Sequence, residues 1–184
     1  MSTQIISRPH ARRAAPVLGA ILVLAALATA PQARAHAVLD TATATAGSYH
    51  KLVVRIGHGC KGSPTVEVSV GLPDGVGGGK PQPKAGWQVA TTKEKLAEPF
   101  RDGHGVLVTD RVAHVTWTGG PLDDAHFDEF AISVRLPNRP GETLRFPVVQ
   151  RCQTGEHRWV EMPAPGQRPG ELKEPAPGLM LLPR

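Results

Sequence analysis

Thr65-Val66-Glu67-Val68-Ser69-Val70 alternates polar and apolar side chains with a period of two, the pattern of a strand that buries one face. Upstream, Tyr49-His50-Lys51-Leu52-Val53-Val54-Arg55-Ile56 is β-branched and roughly alternating, and reads as a second strand. Further strands are expected at 86–91, 106–108, 112–117, 130–136 and 143–150. Between them lie breakers: Gly57-His58-Gly59, Pro73-Asp74-Gly75, Gly77-Gly78-Gly79, Gly119-Gly120-Pro121 and the stretch from Pro137 to Gly141. Outside the first 35 residues, no segment shows a helical period with caps at both ends. About seven short strands at this spacing predict an all-β chain, an antiparallel β-sandwich of immunoglobulin or cupredoxin type. From Pro163 the composition turns to proline, glycine and charge, so 163–184 is expected to be an extended or disordered tail, laid along the domain surface if ordered.

Residues 1–35 read as a signal peptide. Arg8, Arg12 and Arg13 form a basic start, an apolar run covers Val17 to Ala30, and Ala33-Arg34-Ala35 sets small residues at −3 and −1. The run is shorter than the roughly twenty residues that span a bilayer. Cleavage is therefore expected between Ala35 and His36, leaving a sandwich domain at 36–162, the tail at 163–184 and no membrane anchor. The leader takes four of the 21 basic residues and none of the 16 acidic ones, so the mature net charge is about +1, not +5. The basic pI of 9.6 belongs to the precursor, and with it goes the case for a nucleic-acid partner.

Both cysteines, Cys60 and Cys152, fall in the mature part. In an oxidising compartment the pair reads as one disulfide. The alternative is a dithiolate metal site, which lacks CxxC spacing and a histidine beside both sulfurs.

No GxSxG, HExxH, Walker, GxGxxG or CxxCH pattern occurs, so the chain is not read as an enzyme. The acidic pairs Asp123-Asp124 and Asp128-Glu129 read as solvated loop groups. The chemically distinctive group is the new terminus. A free His36 carries an α-amine beside its own imidazole, and together they can chelate one ion. An α-amine with a pKa near 7.7–8.0 is readily deprotonated by a metal, and amine with imidazole suits Cu(II). The remaining mature histidines, His50, His58, His104, His114, His126 and His157, are scattered and read as loop or solvated residues. Trp87 and Trp117 read as core. Trp159, in the polar run Gly155-Glu156-His157-Arg158-Trp159, reads either as an indole face over a bound cation or as a cap on the sandwich end.

These residues add up to a resemblance. His36-Ala37-Val38-Leu39 and Ala46-Gly47-Ser48-Tyr49 resemble the start of mature YcnI-like domains, a family of periplasmic or extracellular copper-binding proteins. The likeness continues through His58-Gly59-Cys60, Pro73-Asp74-Gly75-Val76 and the stretch from Lys80 to Trp87. It then takes in Trp117-Thr118-Gly119-Gly120, Phe127-Asp128-Glu129-Phe130, Phe146 to Gln150 and Cys152 to Pro163. Ala176-Pro177-Gly178-Leu179 is similar to the tail of unanchored Gram-negative members. The resemblance implies a β-sandwich binding one Cu(II) through a single-histidine brace, with an acidic side chain and a tryptophan near the metal. Matched motif by motif, the brace is His36 and the tryptophan is Trp159. Family members often carry a glutamate where this chain has Thr43. The acid here is then Glu129 or Asp40, with Glu129 ranked ahead.

The function expected from this is a non-enzymatic, periplasmic Cu(II)-binding protein in copper trafficking or homeostasis. Its partners would be the copper ion and another periplasmic copper chaperone or a copper-enzyme assembly factor. A copper-dependent oxidative enzyme and a structural or adhesive sandwich without metal stand as the alternatives.

Overall fold

A computed structural model describes residues 37–101 and 105–184. The expected leader and its expected cleavage boundary, with His36 and His104, lie outside the described residues. Among the described residues, twelve strands follow in chain order: β1 (Val38–Leu39), β2 (Thr43–Thr45), β3 (Tyr49–Ile56), β4 (Thr65–Gly71), β5 (Gly77–Pro81), β6 (Trp87–Arg101), β7 (Leu107–Leu122), β8 (Asp128–Arg135), β9 (Thr143–Arg145), β10 (Val148–Cys152), β11 (Glu156–Trp159) and β12 (Gly178–Leu182). They form a four-stranded sheet, β1-β3-β8-β5, a five-stranded sheet, β11-β10-β4-β7-β6, and a small sheet, β2-β12-β9. The all-β antiparallel sandwich read from the sequence is the fold.

The alternation seen in the sequence is what builds the core. On β8, Phe130, Ile132 and Val134 are buried while Glu129, Ser133 and Arg135 face outward or sideways. Val68 and Val70 of β4 and Val115 and Trp117 of β7 answer from the second sheet, all fully buried. The Trp117 ring meets Phe130 edge-on with centroids 5.4 Å apart, joining the two sheets, and its Nε1–H donates to the Gln82 carbonyl. Trp87 packs on the same phenylalanine at 5.1 Å.

Two glycine-rich stretches expected to break strands instead lie inside them. Gly77-Gly78-Gly79 opens β5, an edge strand that bulges between Gly78 and Lys80. Gly79 sits at a φ of +76°, and a Cβ there would lie 2.7 Å from Cβ of Val112, so the position takes a glycine because β5 passes so close to β7. Gly119-Gly120-Pro121 continues β7 through a cis Gly120–Pro121 bond. Conversely, the single strand expected at 143–150 is split at Phe146-Pro147 into β9 and β10, which belong to different sheets.

The tail corrects the expected boundary at 162. Residues 163–177 are extended as read, with one 3-10 turn at Pro169–Glu171, but β12 is an integral strand. It pairs parallel with β2 and antiparallel with β9, and Leu179 and Leu181 are fully buried in the main core. Burying two leucines contributes about 1.5–3 kcal/mol each, so the tail closes the sandwich; it is not an overlay. Met180 and Leu182 point outward, the alternation that the surrounding prolines concealed in composition.

The cysteines form a disulfide, Cys60–Cys152, that joins the loop after β3 to the end of β10.

Candidate metal centre

Antiparallel pairing of β1 with β3 sets Val38 opposite Arg55, and pairing of β3 with β8 sets Arg55 opposite Glu129. Side chains directly across a ladder share a face, and Asp40, two residues beyond Val38, falls on that face as well. The outcome is a triad in which one guanidinium serves both candidate acids. Arg55 Nη2 donates to Asp40 Oδ1 at 3.2 Å, and Arg55 Nε lies 3.5 Å from Glu129 Oε1 without forming a hydrogen bond. The exposed Phe127 ring lies under the same guanidinium at 5.9 Å. All three charged side chains are close to half exposed, so each ion pair contributes about 0–1 kcal/mol.

The N-terminal end of β1 points toward the chain that leaves β3, because the two strands run in opposite directions. That chain is Gly57-His58-Gly59, held in three ways. Asp124 accepts the Gly59 N–H at 2.9 Å, the buried Gln150 donates Nε2–H to the His58 carbonyl at 2.7 Å, and the disulfide fixes Cys60. Asp124 is thus a loop fastener, a different role from the solvated group read in the sequence. Asp128 likewise pairs with Lys84.

A second group of polar side chains lies against this loop. The His58 and His157 rings meet edge-on with centroids 6.2 Å apart. His157 and Trp159, two apart on β11, share a face, and their rings stack at 5.0 Å and 26°. His157 Nδ1–H donates to Glu174 Oε1 at 2.8 Å, while Glu174 Oε2 accepts the Arg158 backbone N–H at 3.1 Å. Glu174 comes from the extended tail, which meets the chain just beyond β11 through a bridge between Glu161 and Pro175. Burial by itself would raise the Glu174 carboxyl; the hydrogen bonds from His157 and Arg158, with the charge of Lys173 nearby, outweigh it and hold the group below its ordinary value.

The structure therefore brings Asp40 and Glu129 together and sets Trp159 elsewhere, on the other sheet. Trp159 is 3% exposed and belongs to the core, and one face of its indole is already covered by the His157 imidazole. Thr43, standing where relatives often carry glutamate, is exposed on β2. Among the described residues no group of three or more His, Cys, Asp or Glu side chains is gathered closely enough to hold a metal ion. No helix among them is long and apolar enough to cross a membrane. Arg55, His157 and Glu174 escaped the sequence reading. The signal for His157 was there as its i,i+2 spacing from Trp159 on a strand; Glu174 had none.

Residues 36–181 match a family model described as a domain of unknown function, DUF1775, the family of YcnI-like domains. Among solved structures, the chain is similar to an uncharacterized protein from Nocardia farcinica described as having an immunoglobulin-like fold. The identity is 25%, the TM-score is 0.61, and the alignment covers 80% of this chain and 98% of that one. No curated protein matches the chain.

Proposed function

The chain belongs to the YcnI-like domain family, and from that premise we propose that its mature form binds one Cu(II) ion at the N-terminus. It would serve copper trafficking or homeostasis outside the cytoplasm, and the ion is cargo, received from and passed to another periplasmic copper protein. The observation that carries this reading is the seating of β1 beside the Asp40–Arg55–Glu129 triad. Ala37, which leads into β1, is buried against the core.

The chemistry of the donors fits the ion. Amine and imidazole of His36 are borderline nitrogen ligands of the kind Cu(II) prefers, and a carboxylate is a compatible third ligand. Asp40 and Glu129 share a face with Val38 and are exposed enough to be reached. Arg55 holds both, and must let go of whichever one turns to the metal. A terminal chelate with few protein ligands releases its ion more readily than a closed cage, which suits a carrier.

The test is calorimetric titration of Cu(II) into the chain beginning at His36, beside a variant with one glycine added in front. The added residue turns the amine into an amide. Binding is expected to fall by at least about a hundredfold, since a metal affinity rests on each deprotonated ligand. Unchanged affinity would sink the reading. Oxygen uptake with ascorbate, measured on the copper-loaded chain, separates a carrier from an oxidative enzyme, because the carrier shows none above free copper.

A further inference from the structure

We propose that the cleft between the outer half of the β6–β7 hairpin and the outer face of β3, β8 and β5 is a docking groove. Its occupant is an extended acidic segment of a partner protein, in which carboxylates alternate with apolar side chains. The groove lies at the opposite end of β3 from Arg55 and its two acids, and it requires no copper.

One wall is an arm that outgrows its sheet. Pairing of β4 with β7 ends at Gly71 opposite His114, and beyond that point 107–112 pair with 93–101 of β6. A two-stranded ribbon is marginally stable by itself, and this one is fixed at its root. Arg111 donates from Nη1 to the Leu72 carbonyl at 2.6 Å and pairs through Nη2 with Asp74 at 2.8 Å. Toward the tip the arm carries Phe100 opposite Val108, and Phe100 is 54% exposed although it lines the cleft. The outer edge of β6 is blunted by Lys93, Lys95, Pro99 and a register shift between Lys95 and Phe100. The surface left to a partner is therefore the arm's inner face, not its edge.

The floor is basic. Register sets Tyr49 opposite Arg135 opposite Gly77, and Lys51 opposite Ser133 opposite Lys80. Residues across a ladder share a face, so Arg135, Lys51 and Lys80 stand together, and Lys93 of the arm faces them across the cleft. The acids nearby are taken: Asp110 by Lys95, and Asp74 and Glu94 by Arg111. Among the described residues, no carboxylate lies within ion-pair reach of those four cations. Arg135 lies instead over the Tyr49 ring at 5.8 Å, and Tyr49 is 79% exposed.

Charge and shape together select the occupant. Two cavities, of about 500 and 540 Å³, share Gly75, Gly77, Phe100 and Arg135, so they form one continuous cleft. Unpaired cations beside exposed aromatic rings favour carboxylates with apolar neighbours. In an extended chain alternate side chains point opposite ways, so one set meets the floor cations while the other packs on Phe100, Leu96 and Val108. A flat anionic lipid surface would touch the rim of such a cleft and leave its walls uncovered.

The probe is a short synthetic peptide alternating Asp with Leu and Phe, titrated into the 15N-labelled chain. Amide shifts are expected at Gly75, Gly77, Gly78 and Ser133, with none at Val38 or Glu129. Fluorescence anisotropy should show Arg135→Glu and Phe100→Ser each weakening the Kd by at least about tenfold. Arg168→Glu, the same charge change on the exposed 3-10 turn, should alter it by less than about twofold. A peptide with Lys in place of Asp should not bind. Shifts spread away from the cleft, or equal binding of the Lys peptide, overturn the inference, and neither result depends on a variant folding. An unchanged Kd in both groove variants overturns it too. Sedimentation with phosphatidylglycerol vesicles, in the absence of peptide binding, would assign this face to a membrane and end the proposal.

Discussion

Two polar clusters, one on the four-stranded sheet and one at the β11 edge of the five-stranded sheet, are built on opposite plans. In one, a single cation, Arg55, is shared by two exposed acids, Asp40 and Glu129. In the other, a single acid, Glu174, holds one imidazole, which lies on a buried indole. The first cluster rests on cross-strand pairing alone, and its members can exchange partners at little cost. The second is fastened from several directions: a disulfide at its base, a buried glutamine beneath it and a strip of tail over it. A loose cluster can follow a ligand, whereas a fastened one determines where the ligand must come.

The largest effect that tests this contrast is removal of the fastening. Cys60→Ala with Cys152→Ala opens a loop of 92 residues, and the chain-entropy model puts the loss of stability at about 4–5 kcal/mol. Urea unfolding followed by tryptophan fluorescence measures it. Amide hydrogen exchange should show β10 and β11 losing protection while the β1–β3 pairing loses little. A loss below about 1 kcal/mol, or equal deprotection of both clusters, would erase the distinction.

A smaller effect is expected from Arg55→Leu, which frees both acids at once. Stability should change by no more than about 1 kcal/mol. Cu(II) affinity of the mature chain should rise about fivefold, since a competing cation of about 1 kcal/mol is gone. An unchanged Kd would mean that this cluster takes no part in binding.

The smallest effect serves as a control, because it belongs to neither cluster. His50 lies at the far end of β3, and burial lowers its pKa. A histidine whose folded pKa is depressed favours its neutral form in the fold. Its contribution to stability is present above the unfolded value, about 6.5, and is lost as pH falls through the lower folded one. Urea midpoints should therefore fall between pH 7 and pH 5 more steeply in the native chain than in His50→Gln. Parallel slopes would refute it.

What the sequence made legible is what short-range alternation can encode. Strands β3 and β4 begin where the pattern begins, because each buries one face against a single opposing sheet. β12 was hidden because only Leu179 and Leu181 carry its inward face, amid prolines that dominate composition. β5 was hidden because an edge strand crossing close to Val112 uses glycine, the residue that elsewhere ends strands. Most of the fold could thus be read, and the candidate site only in pieces. The choice between Glu129, ranked ahead, and Asp40 had no structural ground in the sequence, since the residue that joins them, Arg55, gives no local sign of doing so. Likewise His157 looked scattered: its partner Glu174 arrives from the tail, in a segment whose composition suggested no packing role.

The Cys60–Cys152 bond has one consequence for chemistry as well as for stability. As free thiols the two residues would be soft sulfur donors, stronger competitors for copper than amine, imidazole or carboxylate. Closing the bond removes both competitors in the same step that draws the His58 loop against β11. Under the proposed copper-carrying role, a chain that met copper before oxidation would load the wrong atoms, and the order of the two events would decide where the ion goes.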